Sequence, residues 1–440
     1  MNAFAEQTAP IQPKIKETPL PPAITLPAPE KTPADVPNRP LTAEEAARIA
    51  LTHQPNVAIA QAGVVTAKGG VTRTKAALLP TVAGAGSYNS IAHAPATDFP
   101  GTGAATGYQL SANVRQLIFD FNHTRDLAKQ ASQKLRAANA NMTKVESDTV
   151  LRVKQAFYAY AQSTKLVAVN EANVKNAQSH LALAQARLDA GVGLPTDVVR
   201  AQTAVANSIF NLNLARNTAS LAGVSLAEQI GIDPRTPIVP ADTGESEIDI
   251  DDLVALTQQA LESRPEVAQA EANLSAAGYS VSAAKTSSAP AVSANAGWMQ
   301  RGTDFPPGNN TLTYGVALQW TPFDSGLTAG RVEEARGALL AAEADMEAAE
   351  LKVTSDVSRG YVDLKTAEQR VITSEAEVAN ALEALRLVEG RYKSGLGTFL
   401  DVLDAQTAYI NADSNKVNAH FSVDQARSAL AHAIGRPLTK

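Results

Sequence analysis

The stretch Thr311-Leu312-Thr313-Tyr314-Gly315-Val316-Ala317-Leu318-Gln319-Trp320 puts an apolar residue at every even position and a small or polar one at every odd position. A period of two is the mark of an extended strand with one face toward an apolar medium. Three more segments obey the rule. Tyr108-Gln109-Leu110-Ser111-Ala112-Asn113-Val114-Arg115 is apolar at its even positions, and Val292, Ala294, Ala296 and Trp298 alternate with Ser293, Asn295 and Gly297. The segment after Pro80 is the weakest, with Val82 and Tyr88 on one face. Strands are therefore expected at about 80–92, 107–119, 290–302 and 311–323.

Outward from these segments the period becomes helical, and the chain repeats itself. Arg187, Asp197 and Gln202 recur as Arg391, Asp401 and Gln406, and Gly191, Gly193 and Asp120 as Gly395, Gly397 and Asp324, all at an offset of 204. Gln54-Pro55 and Pro80 recur as Arg264-Pro265 and Pro290 at an offset of 210, so a six-residue slip falls between Pro80 and Asp120. The organisation read from this is a proline-rich, extended leader at 1–40, a first repeat at 41–235, a linker at 236–250 and a second repeat at 251–440.

Each copy holds a long helix, expected at 122–190 and 325–394, in which large residues return every seven positions: Val153, Tyr160, Val167, Val174, Leu181 and Leu188, then Val357, Leu364, Val371, Val378, Leu385 and Tyr392. Small residues such as Ala177, Ala184, Gly360 and Ala367 lie three positions on, a seam suited to close antiparallel packing. Rods of that length run to about 100 Å. Helices half as long are expected at about 42–79, 195–230, 251–288 and 399–434, the first opened by Thr42 as a capping box.

Composition excludes several classes of function. The net charge is -6 with no basic cluster, so nucleic acid is set aside as a partner. There are no cysteines, hence no disulfide, thiolate metal site or cysteine nucleophile. His53, His93, His123, His180, His420 and His432 lack paired ligand spacing, and no phosphate loop or nucleophile elbow is present, so neither an enzyme nor a cofactor is expected. No apolar run reaches the roughly 18 residues of a spanning helix. Any membrane crossing would be made by strands. The start Met1-Asn2-Ala3-Phe4 lacks the plan of a secretory signal, which fits either a cytosolic protein or a form whose signal was replaced.

Alternation with aromatics near its ends, here Tyr88, Tyr108, Trp298, Tyr314 and Trp320, is what an outer-membrane barrel strand looks like. Four strands cannot close a barrel, since interior side chains need about eight, and an open edge in lipid leaves backbone groups unpaired. If the strands span a membrane, several copies must pool them. The competing reading is a pair of half-buried hairpins in a soluble or periplasmic coiled-coil scaffold or adaptor protein.

Helix, hairpin and long helix in two copies, the turn Phe323-Asp324-Ser325-Gly326, and Arg391-Tyr392-Lys393-Ser394-Gly395 running into Phe399-Leu400-Asp401-Val402-Leu403-Asp404-Ala405-Gln406 resemble the TolC outer-membrane factor family. The resemblance implies a mainly α fold with a β-barrel contribution: a homotrimer whose twelve-stranded barrel spans the Gram-negative outer membrane and continues as an α-helical barrel through the periplasm. It implies docking to a periplasmic adaptor and an inner-membrane pump, and passive export. It places adaptor contacts at the turns Gly191 to Gly193 and Gly395 to Gly397, and an entrance constriction at Asp401 and Asp404, with Tyr392 tied to Asp197 in the closed state. The arginine of that family's latch is replaced by Gly397 here, which leaves Arg187, Arg200 and Lys393 as alternative cations. A plain structural role is also open to these residues: glycines as left-handed helix caps and acids in a helix's first turn.

Overall fold

A computed structural model describes residues 22, 39–91, 105–241, 244, 252–302 and 304–436. The leader expected at 1–40 lies outside the described residues apart from 22, 39 and 40, as does much of the 236–250 linker. The elements run α1 (Ala43–His53), α2 (Pro55–Ala76), β1 (Thr81–Ile91), β2 (Ala105–Phe119), α3 (His123–Asp189), α4 (Pro195–Ile230), α5 (Leu253–Ser263), α6 (Pro265–Lys285), β3 (Ala291–Gly302), β4 (Asn309–Gln319), α7 (Leu327–Lys393) and α8 (Phe399–Ala433). The two long helices have 67 residues each.

The first helix of each copy is broken in two, where the sequence suggested one continuous rod. Pro55 and Pro265 cause it: proline lacks an amide donor and pushes the residue before it out of the helical region. Arg264 stands at φ -71°, ψ 128° and Gln54 at φ -71°, ψ 120°. At the first break Gln54 donates from Nε2 to the carbonyls of Glu228 and Gln229 at 3.1 and 2.9 Å, joining the end of α1 to the end of α4. The capping box at Thr42 forms, with Glu45 N to Thr42 Oγ1 at 3.2 Å and Thr42 N to Glu45 Oε2 at 3.1 Å.

The chain forms two compact units, each drawn from both sequence copies. One holds α1, α4, α8, most of α5 and the segments Glu146–Ala260 and Thr354 onward. Its first core joins Ala46, Ala47 and Ala50 of α1 to Val150, Val153, Phe157 and Tyr158 of α3 and to Leu226 and Ile230 of α4. Leu41 closes it from outside through a short bridge, its amide bonded to the Val239 carbonyl at 2.9 Å. A second cluster sets Val174 and Ala177 of α3 against Val205, Ile209 and Leu212 of α4. The seven-residue seam is thus the buried one, with Val357 and Leu364 of α7 fully buried as well. Its small partners let backbones approach: a Cβ at Gly360 would meet Leu430 at 3.2 Å.

The other unit, Ala58–Val145 with Leu261–Val353, contains the sheet. Its order is β1-β2-β3-β4, every pair antiparallel. Register decides what the alternation means, because directly paired residues share a face. Val82 pairs with Val114 and Tyr88 with Tyr108, while Ala112, Trp298 and Leu312 align across three strands, as do Val114, Ala296 and Tyr314. All four alternations fall in phase. One face is apolar, with Leu312 70%, Tyr314 84% and Val316 74% exposed, and β4 is exposed on both of its faces. The opposite face carries Gln109, Asn113, Arg115, Asn295, Arg301, Thr311 and Thr313. β1 and β4 are the two outer strands.

β4 stops at Gln319, short of the 323 suggested by its pattern, because Pro322 has no amide to give a ladder. The slip between the two repeat offsets lies in the stretch joining β1 to β2, whose residues 92–104 are outside those described. The strands then hand over to the long helices through matched turns. Asp120 accepts from the Thr124 amide at 2.8 Å and Asp324 from the Thr328 amide at 2.7 Å. No helix among the described residues is long and apolar enough to cross a membrane.

Candidate gate at the helix tips

The two glycine turns end α3 and α7 in the same way. Gly191 and Gly395 take φ of +75° and +77°, the left-handed region where a Cβ is costly. Val192 N bonds the Arg187 carbonyl at 3.0 Å and Gly191 N that of Leu188 at 2.9 Å; Leu396 and Gly395 repeat the pattern on Arg391 and Tyr392 at 2.8 and 3.0 Å. Both are Schellman caps. The second glycines serve close approach instead: a Cβ on Gly193 would lie 2.6 Å from the Leu188 amide, and one on Gly397 3.3 Å from Arg391 Cβ. Just beyond each cap an apolar residue faces outward, Val192 68% and Leu396 75% exposed, with Leu194 beside the first. Their only mark in the sequence is an apolar residue next to glycine.

The helices that follow begin differently, and the difference assigns the aspartates. Thr398 caps α8 reciprocally with Asp401: the Thr398 amide donates to Asp401 Oδ2 at 3.0 Å and the Asp401 amide to Thr398 Oγ1 at 3.3 Å. Those bonds hold the exposed Asp401 carboxyl below the usual carboxylate range. α4 has Leu194 at the same place, with no side-chain cap. Asp197, the counterpart of Asp401, is therefore free to turn inward. It is buried and accepts from Tyr392 Oη at 3.3 Å.

Tyr392 is the centre of this cluster. Its ring packs against Phe399 at 5.4 Å between centroids, within a core of Ala184, Val198, Ala201, Phe399 and Val402. The guanidinium of Arg187 lies 4.7 Å from the ring centroid, and its Nη1 donates to the carbonyls of Tyr392 and Lys393 at 2.8 and 3.1 Å. Burial first, and then the charge of Asp197, raise the Tyr392 phenol above its ordinary pKa. Its proton stays on oxygen and donates to Asp197.

Of the residues singled out in sequence, Asp197, Tyr392 and Arg187 are thus brought together across the ends of α3, α4 and α7. Asp401 sits in its cap and Asp404 lies exposed one turn along α8. Lys393 pairs with Glu389 at 3.5 Å, which also faces His180 at 3.6 Å. Arg200 lines a groove of about 470 Å³ between α4 and α8, floored by Asn173 and Ala177 of α3. Burial pulls the His180 pKa down. No group of three or more His, Asp or Glu side chains able to hold a metal occurs among the described residues.

In the sheet unit, Tyr88 and Tyr108 stack near the hairpin ends of their strands at 4.8 Å, with Phe305 5.6 Å from Tyr108. Trp320 follows β4 at its helical end and is 58% exposed. Trp298 and Tyr314 lie between, on the same apolar face. Phe323, of the Phe323-Asp324-Ser325-Gly326 turn, is 82% exposed, and at the helical end of β2 the exposed Phe119 and Phe121 pair at 4.8 Å, two aromatics that were not singled out from sequence.

Residues 46–231 and 256–436 match the family model described as outer membrane efflux protein. The chain is 29% identical to the outer membrane efflux protein BepC of Brucella suis over 385 residues, 86% of this chain and 81% of that one. It is 23% identical to the outer membrane protein TolC of Vibrio cholerae over 320 residues, 69% and 72% of the two chains. Its fold superposes on the crystal structure of the outer membrane protein VceC from Vibrio cholerae with a TM-score of 0.80 at 20% identity, covering 89% of this chain and 96% of that one.

Proposed function

This chain belongs to the outer membrane efflux protein family, and from that premise we propose that it is the passive exit duct of a tripartite efflux or type I secretion system. Three copies pool four strands each into a closed twelve-stranded barrel in the Gram-negative outer membrane. The helical repeats continue that barrel as a tunnel in the periplasm. A periplasmic adaptor engages the turns at Gly191, Gly193, Gly395 and Gly397, where Val192, Leu194 and Leu396 offer apolar contact. The inner-membrane pump supplies the energy, so the duct itself requires no cofactor and performs no reaction.

The observation that carries this reading is the sheet: its apolar positions run in phase across four strands and stand exposed on β4, and its two outer strands, β1 and β4, are each paired on one side only. A hairpin pair in a soluble protein would turn its apolar face into a core. Strands of 11 to 15 residues also suffice for a crossing that needs about 9 to 11. Tyr88 and Tyr108 at one level, with Trp320 at the other, fit the two interfacial aromatic belts.

At the tip, the bond from Tyr392 to Asp197 holds α7 against α4 in the closed state, and Asp401 and Asp404 from three copies gather carboxylates around the opening. Such a ring attracts cations and repels anions. Detergent-extracted protein reconstituted in planar bilayers tests the reading: discrete, cation-preferring conductance steps are expected. A water-soluble single chain without conductance would instead favour a coiled-coil scaffold.

A further inference from the structure

The sequence repeat is also a repeat of side-chain contacts, and it predicts a contact that one chain cannot make alone. Within each copy the long helix binds its successor at equivalent positions: Glu171 of α3 meets Arg216 of α4 at 2.8 Å, and Glu375 of α7 meets His420 of α8 at 3.4 Å, both residues displaced by 204. The last helix of the second copy then lies along the long helix of the first. His432 of α8 bonds Asp148 of α3 at 2.9 Å, and Asn418 of α8 accepts from Gln162 of α3 at 2.8 Å.

Displacing the first of those pairs by 204 in each direction converts Asp148 to Lys352 on α7 and His432 to Glu228 on α4. The charges are again opposite, with their signs exchanged between the helices. Yet Lys352 and Glu228 are both exposed and neither is in an ion pair among the described residues. The second pair maps to Thr366 and Leu214, both exposed, Leu214 to 57%. The sheet-bearing unit gives the same asymmetry independently. There α6 packs on α3, Arg136 bonding Glu271 at 2.8 Å, and buries Ala272 and Ala276. Their counterparts on α2, Ala62 and Thr66, are exposed, and so is Leu340 of α7, which replaces Arg136.

We propose that α4 and α2 of one copy lie along α7 of a second copy of this chain in the register that α8 and α6 adopt on α3, and that Glu228 of one protomer forms an ion pair with Lys352 of the next. The proposal rests on the multimeric duct reading and adds its register. Each protomer thus offers one long helix, α3, bonded at these positions and another, α7, exposed at the equivalent ones, Leu340, Lys352 and Thr366, so the contact is head to tail. A contact of that kind propagates into a closed ring when its rotation closes.

The absence of native cysteines makes the test direct. Glu228→Cys with Lys352→Cys, purified in detergent and treated with a short bismaleimide, should give a ladder ending at three covalently joined chains, while each single variant runs as one chain. As a check that does not depend on thiols, Glu228→Lys should reduce the yield of assembled protein several-fold, and adding Lys352→Glu should restore it. A double-cysteine protein that keeps a three-chain native mass but yields only one-chain bands would overturn the register and leave the duct intact. A one-chain native mass would overturn both.

Discussion

The guanidinium of Arg187 covers the ring of Tyr392 at 4.7 Å while its Nη1 bonds the Tyr392 carbonyl at 2.8 Å, so one side chain fixes both the ring and the helix end that carries it. The same ring donates its hydroxyl to Asp197, so the position of Arg187 sets whether that bond can form. Stacking of this kind contributes about 0.5–2 kcal/mol and charge-assisted hydrogen bonds about 1.5–3 kcal/mol. Arg187→Ala should therefore loosen the end of α7 and raise the mean single-channel conductance. Arg187→Lys, which keeps the charge and loses the planar fork, should fall between. Tyr392→Phe, which keeps the stacking and removes only the hydroxyl's bond to Asp197, should be milder, about 1.5–3 kcal/mol. Hydrogen exchange at the Gly395 and Leu396 amides measures the loosening separately from the conductance.

The two second-position glycines should respond unequally. Alanine at 193 would force a Cβ to 2.6 Å from the Leu188 amide, so the turn must open, at a cost of about 1–3 kcal/mol. Alanine at 397 meets Arg391 Cβ at 3.3 Å, a contact that a small shift relieves. Limited proteolysis at the tips should show Gly193→Ala cut several-fold faster than Gly397→Ala.

Asp401 has two duties that one substitution can separate. Alanine removes both its charge and its half of the capping box with Thr398. Asparagine keeps an acceptor for the Thr398 amide. Asp401→Asn with Asp404→Asn should lower cation over anion preference without fraying α8, whereas Asp401→Ala should do both. Reversal potentials across a salt gradient read the first effect and exchange of the Asp401 amide the second; unchanged selectivity in the double asparagine variant would remove these residues from the gate.

The capped carboxyl also sets a pH dependence. Its folded pKa is depressed, so the stabilisation is complete above the unfolded value, about 3.9, and is lost as pH falls through the lower folded value. Acid should leave α8 capped at pH 5 and fray its first turn only below the ordinary carboxylate range. Carboxyl resonances of selectively labelled aspartate should place Asp401 below the normal range.

Substitutions on the two faces of β4 should diverge. Val316→Arg puts a charge on the apolar face, at about 2–4 kcal/mol if that site is near the bilayer midplane, while Thr313→Arg sits on the polar face. Assembly into detergent-resistant multimers should drop sharply for the first and little for the second.

Much of this was legible in the sequence because it is periodic. The alternation in β4 placed the strand and its apolar face, and the seven-residue return of Val153 through Leu188 placed the α3 seam. The 204 offset also carried over to contacts such as Glu171 with Arg216. What escaped was local or non-periodic. Pro55 and Pro265 split helices whose hydrophobic pattern runs straight through them. The inward turn of Asp197 follows from Leu194 standing where Thr398 stands in the second copy, a single exchange whose effect needs the cap geometry to be seen. That Arg187, rather than Arg200 or Lys393, reaches Tyr392 depends on packing between helices far apart in the chain.

The central claim, that the sheet's apolar face meets lipid, can be read from native fluorescence. The chain has two tryptophans, Trp298 on that face and Trp320 just beyond β4. In liposomes whose acyl chains carry bromine, both should be strongly quenched while aqueous iodide leaves Trp298 emission intact. Emission unaffected by brominated lipid would contradict the account.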